Sequence, residues 1–126
     1  MEIHKSAEDY LETILKLQQK QGQVRSIDIV AELHFSKPSV SVAMKKLRES
    51  GHVKMDENGL LTLTEQGEAI ARRVLERHQV LTAMFIAMGV DEETAAAEAC
   101  EVEHCISDGT FEKIKAHFEK QMGQDC

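Results

Sequence analysis

The chain has 126 residues, 42% hydrophobic and 29% charged, which fits one compact domain or two small lobes sharing a helix and excludes a disordered tail. No apolar run approaches the roughly 20 residues of a membrane helix. Met1-Glu2-Ile3-His4-Lys5 lacks an apolar signal core, so no export route is expected, and Cys100, Cys105 and Cys126 are expected as reduced thiols in a cytoplasm. The net charge of −7 is unevenly placed: residues 1–60 hold nine Lys/Arg and nine Asp/Glu, and residues 61–126 hold six against thirteen. Ser36 to Lys54 carries Lys37, Lys45, Lys46, Arg48 and Lys54 against Glu49 alone, a basic surface on an acidic body that is able to meet phosphate.

With one proline and 4% aromatic residues, helices are expected to dominate. Ser6 is placed to cap a first helix, with Asp9 three residues on as its capping-box carboxylate. Tyr10, Leu11, Ile14, Leu15 and Leu17 give that helix an apolar stripe to about Gln19, and Gln21-Gly22-Gln23 breaks it. Ser26 is the expected cap of a short second helix to Leu33, with Ile27, Val30, Ala31 and Leu33 inward. A turn through His34-Phe35-Ser36 leads to a third helix with Pro38 in its first turn, Val40, Met44 and Leu47 buried, and Gly51 as its stop. His52–Met55 and Leu60–Leu63 flank Asp56-Glu57-Asn58-Gly59, a hairpin signal. A long helix runs from Thr64 to about Met88 and stops at Gly89; Asp91 caps another through about Ile106, and Ser107 or Asp108 caps a last one ending near Gly123.

Three helices followed by a two-stranded ribbon is the order of a winged helix-turn-helix. The expected fold is therefore mainly α: a winged-helix DNA-binding domain over 1–63 with a two-stranded wing, then a helical dimerisation and metal-binding domain over 64–126. Helix 64–88 links the two. The apolar faces of the last three helices are too thin for a separate core, so they are expected to pair with another chain as a homodimer.

A helix-turn-helix sets the start of its second helix in the major groove. Here that start reads Ser36, Lys37, Pro38, Ser39, Val40, Ser41, Val42, followed by Lys45 and Lys46. Serines suit phosphate or base-edge hydrogen bonds, lysines neutralise phosphate, and a helix amino terminus adds N–H donors. Arg25 and Ser26 are candidate backbone contacts, and Lys54 on the hairpin is placed for the flanking groove. Val42 is suited either to a thymine methyl or to packing.

The second half holds Cys100-Glu101-Val102-Glu103-His104-Cys105. At about 100° per residue, Cys100, Glu103 and His104 share one helical arc, and a thiolate, a carboxylate and an imidazole together form a metal-ligand set. Asp9 and Glu12 lie at i, i+3 on the first helix, and His78 lies mid-way along the long one. Each also has an ordinary structural explanation: a buried small thiol, a capping carboxylate, solvated charges.

The segments Ser6–Ile14, Pro38–Ser41, Leu63–Gly67, Arg77-His78 and Cys100–Ser107 together resemble the diphtheria-toxin-repressor family of metal-dependent bacterial regulators, at the length of its short manganese-transport-regulator branch. That resemblance covers nearly the whole chain. It implies a cytoplasmic homodimer that binds a palindromic operator on double-stranded DNA when loaded with Mn²⁺ or Fe²⁺ and represses metal-homeostasis genes. Residue by residue, it implies that Asp9, Glu12 and His78 match ligands of the manganese branch, and that Glu103 and His104 match ligands common to both branches. Cys100 stands where the manganese branch has glutamate and the iron branch cysteine. Thr82 and Ala96 occupy the positions of the iron branch's ancillary ligands, so that second site is expected to be missing, as is the SH3-like module of longer relatives. The implied arrangement is one well-formed site (Asp9, Cys100, Glu103, His104), with Glu12 and His78 completing a weaker one. Hard oxygens suit Mn²⁺, while the thiolate favours Fe²⁺, Co²⁺ or Zn²⁺, and Zn²⁺ or Co²⁺ is also able to fill such a site in vitro.

A competing reading is a thiol-sensing winged-helix repressor using Cys100 and Cys105. Their i, i+5 spacing sets them about 140° apart on an intact helix, which disfavours a direct bridge. A plain structural DNA-binding protein is a further alternative. No HExxH, Gly-rich phosphate loop or Ser/His/Asp pattern is present, so neither an enzyme nor a small organic substrate is expected.

Overall fold

The structure is a computed structural model that describes residues 5–124. Its elements follow the expected order: α1 (Lys5–Gln21), α2 (Ser26–Leu33), α3 (Lys37–Glu49), β1 (Val53–Met55), β2 (Leu61–Leu63), α4 (Glu65–Ala87), α5 (Glu92–Val102) and α6 (Asp108–Gln124). The strands pair antiparallel, Val53 opposite Leu63 and Met55 opposite Leu61. The chain divides into two compact units, one through Arg73 and one from Val74, so the division falls inside α4. Cys126 lies outside the described residues.

In the first unit, Leu11, Ile14, Leu15 and Leu17 of α1 join Ile29, Val40, Met44, Leu47, Val53 and Leu61 in one core. Spacings of three and four put the residues of α1 and of α3 on single helix faces, Val53 and Leu61 come from the strands, and burying each such side chain is worth roughly 1.5–3 kcal/mol. Ser6 does not cap α1; the helix already includes Lys5, so Ser6 stands in its first turn. Nor does Ser26 cap α2. Arg25 occupies that position, and its backbone N–H donates to Asp28 Oδ2 at 2.9 Å. Ile27 is 51% exposed and Ala31 is exposed as well, whereas Ile29 is fully buried. Eight residues carry two apolar stripes, Ile27/Ala31 and Ile29/Leu33, on roughly opposite sides, and tertiary packing takes the second. His34 closes α2 in the left-handed conformation, φ 59°.

Ser36 caps α3 by accepting from the Ser39 N–H at 3.2 Å, with Pro38 in the first turn. The hairpin turn spans Asp56 to Gly59: the Gly59 N–H donates to Asp56 O at 3.1 Å, and Asp56 Oδ1 accepts from the Asn58 and Leu60 N–H groups at 2.8 and 2.9 Å. Gly59 alone in this turn takes a positive φ, 80°, which is why a glycine follows Asn58. Thr64 Oγ1 caps α4 by accepting from the Gly67 N–H (3.1 Å) while donating to Gly51 O (2.7 Å). Gly67 lies flat against the backbone of His52; a Cβ there would drive into its carbonyl group. Gly67→Ala is therefore expected to lower stability by about 2–3 kcal/mol. Urea unfolding checks this, since a backbone carbonyl cannot swing aside as a flexible side chain would.

Among the described residues of the second unit, Val74, Leu81, Ala95, Ala99 and Phe111 are the buried apolar ones, a small set for three helices. Gly89 (φ 104°) ends α4. Asp91 caps α5 by accepting from the Thr94 N–H at 3.0 Å, which holds its carboxyl below the usual range. The cap thus contributes above that range and is lost as pH falls through the depressed value. Ser107, not Asp108, caps α6 by accepting from the Thr110 N–H at 3.1 Å. Helix α5 ends at Val102, four residues short of the expected Ile106.

Candidate metal centre and nucleic-acid interface

Ser36, Lys37, Pro38, Ser39, Ser41, Lys45 and Lys46 are all exposed, as are Arg25 and Lys54, while Ser26 is half-buried. Two of the serines are already engaged, since Ser36 Oγ also donates to Ser39 Oγ at 2.8 Å. Arg25 Nε donates to Asn58 O at 3.4 Å, which ties the front of α2 to the hairpin turn. Val42 is 55% exposed, so it does not pack into the core.

The candidate ligands of the first unit both stand on α1. Asp9 is half-buried and Glu12 is buried, with Lys16 Nζ 3.9 Å from Glu12 Oε2. Next to Asp9, Tyr10 is buried with its ring edge-on to Phe35, centroids 5.9 Å apart, and burial raises its pKa.

In the second unit the donor atoms of Cys100, Glu103 and His104 lie within 4.8 Å of one another. Glu103 is 1% exposed. His78 Nδ1 is 3.1 Å from its Oε2. His104 Nε2 is 3.3 Å from Oε1 but out of line for a hydrogen bond, and Oε1 makes none. The three donors converge although the helix ends before two of them: Glu103 keeps helical angles (φ −59°, ψ −24°) beyond Val102, which preserves its i, i+3 relation to Cys100. A buried carboxyl oxygen with no hydrogen bond, flanked by an imidazole and a thiol, fits a divalent cation. Cys105 is exposed past the end of α5, its Sγ donating to Glu101 O at 3.4 Å, so the 140° separation expected for an intact helix does not apply to the pair Cys100 and Cys105.

One site residue carries no role in the sequence reading. Arg77, 7% exposed on α4, donates through Nη1 to Glu103 O (2.9 Å) and Ile106 O (2.7 Å), pairs through Nη2 with Asp108, and lies 5.4 Å from the centre of the Phe111 ring. By donating to these two carbonyls past the end of α5 it ties down the backbone that carries Glu103 and His104. The signal was legible: Arg77 falls between Val74 and Leu81 at spacings of three and four, a cation on an otherwise apolar stripe. Thr82 and Ala96, both half-buried, bring no carboxylate or imidazole, and Thr82 Oγ1 is buried without a hydrogen-bond partner.

A three-helix unit with a hairpin wing and an exposed basic third helix, followed by a helical unit with a half-buried thiol and imidazole beside the buried Glu103 carboxyl, has the features of a winged-helix regulator that responds to metal. Residues 2–61 match the family "Iron dependent repressor, N-terminal DNA binding domain", and residues 64–121 match "Iron dependent repressor, metal binding and dimerisation domain". The chain belongs to this iron-dependent repressor family of metal-dependent transcriptional regulators, whose members are repressors and not enzymes. It is 33% identical to an uncharacterized HTH-type transcriptional regulator of Methanocaldococcus jannaschii, over 94% of this chain and 96% of that protein. It is 32% identical to the transcriptional regulator MntR of Escherichia coli, over 90% of this chain and 73% of that protein. Among solved structures it is similar to a manganese-dependent transcriptional repressor in complex with manganese, with a TM-score of 0.82, 29% identity and 90% of this chain covered. The chain spans about half (52%) of the length of that solved protein. No helix among the described residues is long and apolar enough to cross a membrane.

Proposed function

We propose that this protein is a cytoplasmic repressor that binds a palindromic operator as a homodimer when loaded with Mn²⁺ or Fe²⁺, and so controls metal-homeostasis genes. The carrying observation is the buried Glu103 carboxyl with its unsatisfied oxygen beside Cys100 and His104. Exposed Ile86 (41%) and Met88 (72%) at the end of α4, beside a small core, support pairing with a second copy.

In this reading Asp9, Cys100, Glu103 and His104 hold the principal ion, and Glu12 and His78 complete a weaker site. A bound cation supplies positive charge and a link between side chains drawn from both halves of the sequence. Asp9 and Glu12 contribute hard oxygens from the DNA-reading half. Cys100 contributes the soft donor that distinguishes this set from an all-oxygen and imidazole one. Ser36, Lys37, Pro38, Ser39, Ser41, Lys45 and Lys46 meet DNA on α3, with Arg25, Ser26 and Lys54 on the flanking backbone. Two recognition helices of a dimer then enter successive major grooves about 34 Å apart. Metal and DNA binding are coupled by about 1–3 kcal/mol, in both directions.

An anaerobic gel-shift titration with Mn²⁺, Fe²⁺, Co²⁺ and Zn²⁺ tests this. Asp9→Ala is expected to lose most of the metal response yet remain dimeric, and Cys100→Glu is expected to shift preference toward Mn²⁺. An unchanged metal response in Asp9→Ala overturns the ligand assignment.

A further inference from the structure

We infer that Val42 is a specificity-determining residue that reads a thymine methyl group in the major groove; this rests on the DNA-binding reading above. The buried face of α3 is marked by Val40, Met44 and Leu47. At about 100° per residue, Val42 stands roughly 200° round from Val40, at the middle of the opposite face. Lys45 and Lys46 fall roughly 60° to one side and 40° to the other, and Pro38 lies one turn earlier on the same face. All four are exposed, Val42 by 55%.

The position is chemically unusual. Exposed mid-helix sites favour Ala, Glu, Lys or Arg, and a β-branched side chain there is mildly unfavourable. No local structural need explains a bare isopropyl group at the crest of a polar, basic helix. Flanking lysines on both sides bring that crest against an anionic partner, since phosphates line both walls of the groove it would enter. Val42 has no donor or acceptor, so it discriminates only through apolar contact. Among the four base pairs, the thymine C5-methyl is the apolar group that the major groove presents. Cytosine at the same place lacks that methyl and leaves the valine desolvated without a partner.

The experiment has two stages. Duplexes are first selected from a random library by the Mn²⁺-loaded full-length protein. Each thymine of the selected duplex is then replaced in turn by deoxyuridine, which removes the methyl alone. Wild type is expected to lose about four-fold affinity at one thymine per half-site, the value of one buried methyl, and Val42→Ala is expected to bind thymine and deoxyuridine duplexes equally. Circular dichroism should show both proteins folded, because the side chain is exposed. If wild type enriches duplexes but is indifferent to every deoxyuridine replacement, or if Val42→Ala loses the same four-fold, the assignment of Val42 is overturned while DNA binding stands. If no duplex is enriched at all, the DNA-binding reading falls and takes this assignment with it.

Discussion

Glu103→Gln is expected to weaken Mn²⁺ binding by at least about 100-fold, while the metal-free protein melts no lower than wild type. The two effects separate because the side chain has two different energetic situations. With a cation present, the carboxyl supplies charge and a hard oxygen, and a carboxamide supplies neither as well. Loss of a group at a metal site commonly costs 10–100-fold even when it lies outside the coordination shell. Without a cation, a carboxyl group buried to 1% exposure has one oxygen 3.1 Å from His78 Nδ1 and the other without a hydrogen bond. Burying an ionised carboxyl costs more than burying a neutral amide of the same shape, so the substitution lowers that cost. Thermal melts with and without Mn²⁺ decide it. At a hundred times the dissociation constant, a bound ion stabilises by about 2.7 kcal/mol. Wild type should therefore gain several degrees that Glu103→Gln does not, and an equal gain in both proteins removes Glu103 from the ligand set.

Arg77→Met is expected to destabilise the second unit by about 2–4 kcal/mol. The ion pair with Asp108 is the smaller part, since the Asp108 side chain is 72% exposed and water screens it. The larger part is the pair of carbonyls, Glu103 O and Ile106 O, that lose their charged donor. A buried acceptor left unpaired costs about 1–3 kcal/mol. Methionine fills similar volume against Phe111, so a cavity contributes little. Arg77→Lys reaches one carbonyl at a time and should recover part of the loss. Denaturant unfolding reads the stability, and calorimetric Mn²⁺ titration should show weakened binding as well, because Glu103 loses its backbone anchor. A variant as stable as wild type would show that those carbonyls find other donors.

Much of this architecture was legible in the order of the residues. The apolar spacing of Leu11, Ile14 and Leu15, the start of α4 at Thr64 and the Asn58-Gly59 turn are local signals, and each formed where expected. The misreadings arose where a short segment holds two self-consistent options or a distant group intervenes. Helix α2 is too short for periodicity to choose between Ile27 and Ile29, and its neighbours made the choice. Helix α5 ends at Val102, just before the Glu103 carbonyl that Arg77 takes from 26 positions upstream, a pairing that no local pattern reveals. The cluster of Cys100, Glu103 and His104 was legible from spacing alone, but through a different local geometry: the donors meet across a helix end and not along an unbroken helix.

Residue 103 is gripped by its main chain, through the carbonyl that Arg77 takes, and in the proposed site would be put to use by its side chain, so these two attachments are separate. A position built this way works like a chuck that accepts different bits. In the proposed site its occupant would be exchangeable without dismantling the loop that holds it, and a change of ion could then follow a codon change at 103.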